Sequence, residues 1–125
     1  MRAKTILTAD GKRINWHQIT HVDLQREGGV LIGKFKWKYK ASIKVEEIAL
    51  NLKDTEIGKY FKRYNFAPLT TEIYINLDKI MLLEENQIFG PTEKTKVRIL
   101  FLDGFELYKV IESVRWSWWK TSFLS

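Results

Sequence analysis

The stretch Val30-Leu31-Ile32-Gly33-Lys34-Phe35-Lys36-Trp37-Lys38-Tyr39-Lys40 carries the clearest structural signal in the sequence. Its lysines occupy every even position from 34 to 40, and its aromatic residues occupy positions 35, 37 and 39. Successive side chains of a β-strand point to opposite faces, so this alternation is typical of a strand with one wet face and one buried face. The pattern predicts a strand over residues 30–40, with Trp37 largely buried and with Lys36 and Lys38 exposed.

Short apolar runs bounded by turn residues predict further strands on both sides of this stretch. These strands are predicted at residues 4–8, 13–16, 19–24, 73–77, 79–84, 96–102 and 105–111. Turns are predicted at residues 9–12, 25–29, 85–87, 90–94 and 103–104, which contain glycine, aspartate or asparagine. Because parallel strands need long crossover connections and few helices are predicted, the strands should pair as antiparallel hairpins.

One helix is predicted near the middle of the chain, beginning close to Ser42 and running for about ten residues. Ser42 can cap the first turn, and Glu46 and Glu47 lie near the end where the helix macrodipole favours negative charge. Apolar residues then recur at helical spacing, at Val45, Ile48, Ala49 and Leu52. A second turn or short helix is predicted at residues 57–61.

The C-terminal segment fits two conformations. Residues 113–124 can form a last strand or a short helix, and the alternation of Val114, Trp116 and Trp118 favours an extended strand. A chain of 125 residues has room for one domain. The sequence therefore predicts a single, mainly β domain over residues 1–125, with antiparallel sheets, one side helix and a tryptophan-rich tail at residues 113–125.

The charge balance favours an anionic partner. The net charge is +6, from 21 lysines and arginines against 15 acidic residues, and such an excess suits nucleic acid or a membrane surface. The alternative is a moderately basic surface with no polyanion ligand. The chain has no cysteine, which excludes disulfides and thiolate metal sites and suits the cytoplasm. It has no secretory signal and no apolar run near the ~20 residues of a membrane span.

The sequence contains no recognisable catalytic constellation. His17 and His21 have the i, i+4 spacing of a helical metal site, but the residues between them lack the glutamate of an HExxH motif. There is also no glycine-rich phosphate loop and no G-x-S-x-G nucleophile motif. We therefore expect no enzyme activity, no metal, no cofactor and no small-molecule substrate.

The predicted lysine face is a candidate nucleic-acid contact. Lys34, Lys36, Lys38 and Lys40 would lie ~7 Å apart along one strand. Phosphates along a nucleic-acid strand have a similar spacing of ~7 Å, so the lysines could follow a backbone. The alternative is a solvated outer face whose lysines protect an edge strand from aggregation.

The tryptophan-rich tail is a candidate interface. Arg115 and Lys120 bracket Trp116, Trp118 and Trp119. Basic residues interleaved with aromatic ones can stack on bases and neutralise phosphates, tryptophans can also dock a partner protein, and they can close a core. In an extended tail Trp116 and Trp118 would share one face and Trp119 would occupy the other. At least one of the three should then be exposed or covered by another chain.

Residues 66–80 read Phe66-Ala67-Pro68-Leu69-Thr70-Thr71-Glu72-Ile73-Tyr74-Ile75-Asn76-Leu77-Asp78-Lys79-Ile80. This segment resembles the signature of LytTR-type DNA-binding domains, F-x-R-[IVC]-H-x-S-[YF]-[IVL]-V-N-x-x-x-I. The positions that match are Phe66, Leu69, Ile73, Tyr74, Ile75, Asn76 and Ile80. The signature arginine, histidine and serine are replaced by Pro68, Thr70 and Glu72. Flanking similarity to the family's strands, helix and closing hairpin extends the resemblance over about residues 4–112.

The resemblance implies an elongated antiparallel β-domain with a side helix, in which loops rather than a helix enter the DNA major groove. Carried over by position, the DNA-facing loops are residues 26–29, 68–71 and 109–113. The site residues expected on or beside these loops are Arg26, Gly29, Thr70, Thr71 and Lys109. No receiver domain precedes the predicted domain, so we expect a stand-alone protein.

Three functions remain open from the sequence. The first is a transcriptional regulator that binds duplex DNA, as a homodimer. The second is a protein-interaction module of the same fold that has lost DNA binding and docks a partner through Trp116, Trp118 and Trp119. The third is a domain that binds RNA or single strands through the lysine strand.

Overall fold

The computed structural model describes residues 4–88 and 93–124, which form ten β-strands and two α-helices. All strand pairs in these ranges are antiparallel, as predicted. The chain divides into two compact units, Met1–Lys79 and Ile80–Ser125, called here the N-terminal and C-terminal units.

The N-terminal unit contains a two-stranded and a five-stranded sheet. The small sheet pairs β1 (Thr5–Leu7) with β2 (Arg13–Asn15). The large sheet is formed by β3 (His21–Glu27), β4 (Val30–Tyr39), β5 (Ser42–Leu50), β6 (Phe66–Pro68) and β7 (Ile73–Asn76). Its spatial order is β5-β4-β3-β7-β6, so β5 and β6 are the edge strands. Helix α1 (Asp54–Lys62) connects β5 to β6, and a 3-10 turn covers Trp16–Gln18.

The hairpin between β3 and β4 sets the register of the large sheet. Gly28 and Gly29 have φ angles of 56° and 81°, and Glu27 pairs with Val30 directly across the turn. A two-residue hairpin turn with positive φ at both positions matches the right-handed twist of its strands, and glycine adopts this geometry without strain.

One face of the large sheet forms an aromatic core. Phe35 is fully buried, with its ring centroid 5.5 Å from that of Trp16 and 6.5 Å from that of Phe61 on α1. Trp16 in turn stacks on Tyr64, with ring centroids 3.9 Å apart. The 3-10 turn and α1 therefore supply the side chains that cover this face of β4.

The helix predicted near Ser42 is wrong, because residues 42–50 form strand β5. This segment pairs with β4 along its whole length, from Tyr39 opposite Ser42 to Leu31 opposite Leu50. Pairing with the preceding strand outweighs the helical spacing of its apolar residues. The helix lies later, at Asp54–Lys62, where the short helix through residues 57–61 was predicted; it has acidic residues in its first turn and basic residues in its last.

The predicted exposure along β4 is only partly correct. Trp37, Lys36 and Lys38 are all of intermediate exposure, rather than one buried and two exposed. Tyr39, predicted on the buried face, is 59% exposed. Alternation holds from Leu31 to Lys36 and is lost beyond it, where the core residues no longer cover the strand.

The C-terminal unit is a three-stranded sheet with one helix. Its strands are β8 (Ile80–Ile88), β9 (Lys94–Phe101) and β10 (Glu106–Glu112), in the order β10-β9-β8, followed by α2 (Ser113–Phe123). The predicted turn at residues 85–87 is wrong, since these residues pair with β9 in register. The turn predicted at residues 90–94 lies largely outside the described residues. The turn at Asp103–Gly104 is confirmed, with the Gly104 N–H donating to Phe101 at 2.9 Å.

The tail is helical, so the preference for an extended strand is wrong. In a helix, residues three apart share a face, and Trp116 and Trp119 are accordingly both buried and stacked, with centroids 5.4 Å apart. Trp118 lies on another face and is half exposed. Tryptophan is compatible with both a helix and a strand. The spacing of three tryptophans in a short segment therefore could not decide between these two conformations.

Candidate nucleic-acid interface

Two of the three segments predicted to face DNA lie toward the same end of the large sheet. Residues 26–29 form the end of β3 and its turn into β4, and residues 68–71 connect β6 to β7. Strands β3 and β7 are paired, with Asp23 opposite Ile73. The N–H of Leu24 also donates to the carbonyl of Glu72 at 2.7 Å. Strand pairing therefore holds both connections at the same sheet end.

Arg26 contributes the main positive charge of the β3–β4 connection. Its guanidinium forms an ion pair with Asp54, in the first turn of α1, and both side chains are largely solvent-exposed. Exposed ion pairs contribute little net free energy, so a phosphate can replace the carboxylate at small cost. The neighbouring Gly29 is exposed and has no side chain, which leaves its backbone open to close approach.

The β6–β7 connection is held by its own hydrogen bonds. Leu69 is fully buried and its N–H donates to Ile73 at 2.8 Å, while the Thr70 hydroxyl accepts from the Glu72 N–H at 3.2 Å. Thr71 is exposed and presents a hydroxyl that can donate to a phosphate oxygen. Glu72 is also exposed, and its carboxylate opposes phosphate at this position.

The third predicted loop is not a loop. Residues 109–112 belong to strand β10, where Lys109 pairs with Val97, and Ser113 begins α2. Continuous pairing with β9 up to Glu112 leaves no free connection here. Lys109 itself is of intermediate exposure, so it is a single, partly accessible cation on the C-terminal unit.

The lysine strand is partly neutralised by neighbouring carboxylates. Lys36 forms an ion pair with Asp23 on β3, and Lys34 lies 3.8 Å from Glu47 on β5. Both carboxylates lie directly across or diagonal to the lysines in the sheet register. The inner half of the lysine face is therefore less positive than the sequence alone suggests.

The outer part of the β4–β5 hairpin keeps its positive charge. Residues 36–45 contain four lysines and no carboxylate. Lys40 and Lys44 are exposed, and the Lys40 Nζ lies 5.5 Å from the centroid of the exposed Tyr39 ring. The sequence reasoning missed Tyr39 as a surface group, although the acid-free run around it was a visible signal. We call residues 37–44 the hairpin tip.

Of the three tryptophans predicted to form an interface, Trp118 is the exposed one. The Trp116 indole N–H donates to Glu85, and Lys120 Nζ lies 3.0 Å from the same carboxylate. These two contacts, the bond from Trp116 being the larger cause, hold the pKa of Glu85 below its ordinary value. Trp118 is 50% exposed, with the Arg115 guanidinium 5.6 Å from its ring centroid.

The histidines do not form a metal site. His17 is in the 3-10 turn and His21 begins β3, so they are not on one helix. His21 is buried and its Nδ1 lies 2.9 Å from the Thr20 hydroxyl. Within residues 4–88 and 93–124, no three histidine, aspartate or glutamate side chains cluster as metal ligands. Neither α-helix in these ranges is long and apolar enough to cross a membrane.

Comparison with known proteins supports the predicted fold. No protein-family model matches the chain, and no curated protein matches it. Among solved structures, the chain is similar to the LytTr DNA-binding domain of a Bacillus cereus protein described as a methyl-accepting/DNA response regulator. The two are 8% identical and superpose with a TM-score of 0.53 over 94% of this chain and 92% of that one. The fold is therefore LytTR-like, as residues 66–80 predicted.

Proposed function

We propose that this LytTR-like domain is a DNA-binding transcriptional regulator without enzymatic activity. The observation that carries the proposal is its fold, because the similar Bacillus cereus domain is a DNA-binding domain. The net charge of +6 is consistent with a polyanionic ligand. We place this function in the cytoplasm, which suits the cysteine-free sequence.

We assign the base-facing role to the sheet end that carries Arg26, Gly29, Thr70 and Thr71. An arginine near the end of a strand can donate two hydrogen bonds to a guanine edge in the major groove. The Arg26–Asp54 ion pair is exposed and can open without leaving a buried charge. Thr71 can fix the register of the protein through a phosphate contact.

We assign the neutralisation of DNA phosphates to lysines of the β4–β5 hairpin. Lys40 and Lys44 are exposed members of the acid-free run, whereas Lys34 and Lys36 must exchange a carboxylate for a phosphate. We therefore expect the hairpin tip to contribute more to affinity than the inner lysines. On the C-terminal unit, Lys109 can add a single phosphate contact.

The test is a titration of mixed-sequence duplex DNA at several salt concentrations, followed by fluorescence anisotropy. The logarithm of the binding constant should fall with the logarithm of salt, with a slope of about −0.9 for each phosphate contact. Replacing Lys38 and Lys40 by glutamine should make the slope shallower by about 2. A chain that shows no salt-dependent binding to any duplex would refute the proposal.

A matched control removes the same charge elsewhere. Lys59 and Lys62 lie exposed on α1, so their double replacement by glutamine lowers the net charge equally. This variant should keep most of the wild-type slope. Equal losses in both variants would mean that binding depends on overall charge and not on the hairpin.

A single-stranded ligand is a second possibility, favoured by the exposed Tyr39 ring beside Lys40. Stacking of a base on an exposed aromatic ring contributes roughly 1–3 kcal/mol. Competition between duplex and single-stranded oligonucleotides distinguishes the two, and Tyr39→Ala should weaken only single-strand binding.

A protein-docking module remains the alternative outside nucleic-acid binding. Trp118 is half exposed and Val114, one turn away on α2, is 83% exposed. Exposed tryptophans are frequent anchors of protein interfaces. Because Trp116 and Trp119 are buried, deleting the tail would disturb the C-terminal unit, and Trp118→Ala is the cleaner change.

The docking alternative predicts a specific result with a photoreactive amino acid at position 118. In cells, it should crosslink to one discrete protein, and the same group at the exposed Lys59 on α1 should crosslink less. Duplex DNA should then show no measurable binding at either low or high salt. Strong DNA binding that is unaffected by Trp118→Ala would exclude this alternative as the main function.

A further inference from the structure

Strand β5 is a long edge strand of the large sheet. It has nine residues, and β4 is its paired neighbour in the described part of the chain. An edge strand presents a row of backbone N–H and C=O groups that can pair with another strand. Two large apolar side chains also project from it into solvent, Ile43 at 61% exposure and Val45 at 47%.

We propose that β5 pairs with β5 of a second copy of this chain, antiparallel and centred on Val45. In a continuous sheet, residues directly opposite each other point to the same face. A twofold axis therefore places one residue opposite its own copy and sets the register of all others. Centring on Val45 gives an overlap of residues 42–48 and places Lys44 opposite Glu46 of the second copy, twice by symmetry.

The charge pattern of β5 selects this register over its neighbours. Registers centred on Lys44, Glu46 or Glu47 place like charges directly opposite each other, which is destabilising. A register centred on Ile43 overlaps within the strand over residues 42–44 only. The Val45 register avoids every like-charge pair and forms two opposite-charge pairs.

The same register also covers the exposed apolar side chains. Val45 and Ile43 lie on one face of β5, and Lys44 and Glu46 lie on the other, because strand side chains alternate. Val45 would meet Val45 of the second copy directly, and each Ile43 would lie diagonal to it. On the first face Val45 meets Val45 and each Ile43 lies opposite Glu47 of the second copy, and on the other face Lys44 and Glu46 form ion pairs.

Glu46 already has one partner within the chain. Its Oε1 lies 3.4 Å from Lys12 Nζ, in a pair whose lysine is well exposed. A carboxylate can accept hydrogen bonds from two lysines, so Lys44 of the second copy can add to this contact. The Lys12 contact holds the Glu46 carboxylate close to the sheet edge.

The proposal does not rest on DNA binding, although Lys44 also belongs to the hairpin tip, and it is tested on the full chain without DNA by sedimentation equilibrium over a range of concentrations. The wild type should approach twice the chain mass of 14.8 kDa as concentration rises. Lys44→Glu and Glu46→Lys, made singly, should each weaken the dimer about ten-fold or more, because two attractive pairs become repulsive. The double charge swap restores opposite charges across the junction and should restore most of the dimer.

Lys59→Glu on α1 is the matched control, since it makes the same charge change away from β5 and should leave the dimer intact. Circular dichroism of each variant checks that the fold is kept. A wild type that stays monomeric at every concentration overturns the proposal. So does a dimer that neither single reversal weakens, or one that the double swap fails to restore.

Discussion

The inner and outer halves of β4 have the same alternating sequence but different environments. In the inner half, residues 31–36, the odd-numbered residues are buried and the even-numbered residues are partly exposed. In the outer half, residues 37–40, Trp37 is half-buried and Tyr39 is exposed, although both continue the same face. Alternation fixes which face a side chain occupies, and the elements packed on that face decide whether it is buried.

The side chains that pack on the buried face of β4 cover its inner half and end before its outer half. Trp16 and Phe61 lie against Phe35, and Trp37 packs only at the margin of the same cluster. The ring of Tyr39 instead lies beside the Lys40 ammonium group. The outer half is therefore free to contact a ligand, whereas the inner half stabilises the fold.

The largest expected difference between the halves is in the cost of removing an aromatic ring. Phe35→Ala should lower the free energy of unfolding by about 3–5 kcal/mol, because it leaves a cavity in the core. Tyr39→Ala should change it by about 0.5 kcal/mol or less, as is usual for exposed positions. Urea unfolding followed by tryptophan fluorescence measures both.

Trp37→Ala tests where along β4 the side chains change from buried to exposed. Because Trp37 is partly buried, the cost of its replacement should fall between those of Phe35→Ala and Tyr39→Ala. If Tyr39→Ala lowered the free energy of unfolding as much as Phe35→Ala, Tyr39 would be buried in solution. The two halves of β4 would then not differ in burial.

Gly33 offers a test of packing within the inner half. A Cβ at this position would lie 2.8 Å from Phe35 Cε1 and 3.2 Å from Leu50 Cδ1. Gly33→Ala should therefore destabilise the protein by about 1–3 kcal/mol through overpacking. Thermal unfolding of the variant checks this, and an unchanged midpoint would show that the core around Phe35 is loosely packed.

The strands were largely predictable because their signals are local. Alternation in residues 30–40 and the glycines at 28 and 29 identified β4 and its turn without any knowledge of the fold. Segment 42–50 was ambiguous, since Val45, Ile48 and Ala49 fit helical spacing while Ile43 to Glu46 also alternate as a strand. Pairing with β4 decided it, and that contact is not visible in the segment itself.

The candidate interface was only partly predictable for the same reason. The segments 26–29 and 68–71 could be identified along the chain, but their position toward the same sheet end depends on the β3–β7 pairing. The Arg26–Asp54 and Lys36–Asp23 ion pairs join residues from separate elements, so they are invisible to a local pattern. The helical tail was missed because its tryptophans fit both spacings.

A substitution on α1 tests the helix that packs on the inner half of β4 without altering any residue of the sheet. Gly58 lies inside the helix, and a Cβ there would meet no atom within 4 Å. Alanine is favoured over glycine in a helix interior by about 1 kcal/mol. Gly58→Ala should therefore raise the free energy of unfolding by about 0.5–1 kcal/mol, opposite in sign to Gly33→Ala. A loss of stability would contradict the open position of Gly58.

The smallest expected effect concerns the lysines of the inner half. Lys36 and Asp23 form an ion pair in which each side chain keeps only about a quarter of its surface exposed, at 26% and 27%. A partly buried pair is less screened by solvent than an exposed one, so Lys36→Gln should cost about 1 kcal/mol or less. Lys34→Gln should cost less still, because the Lys34–Glu47 pair is longer at 3.8 Å and Glu47 is 62% exposed.

A double-mutant cycle isolates the interaction between Lys36 and Asp23. Lys36→Gln, Asp23→Asn and the double variant should give a coupling free energy that is favourable and larger than that of the corresponding Lys34–Glu47 cycle. Both couplings should fall in high salt, the more exposed pair first. Equal couplings in the two cycles would show that solvent screens Lys36 as fully as the more exposed Lys34–Glu47 pair, and Lys36 would then be as available to a phosphate as Lys34.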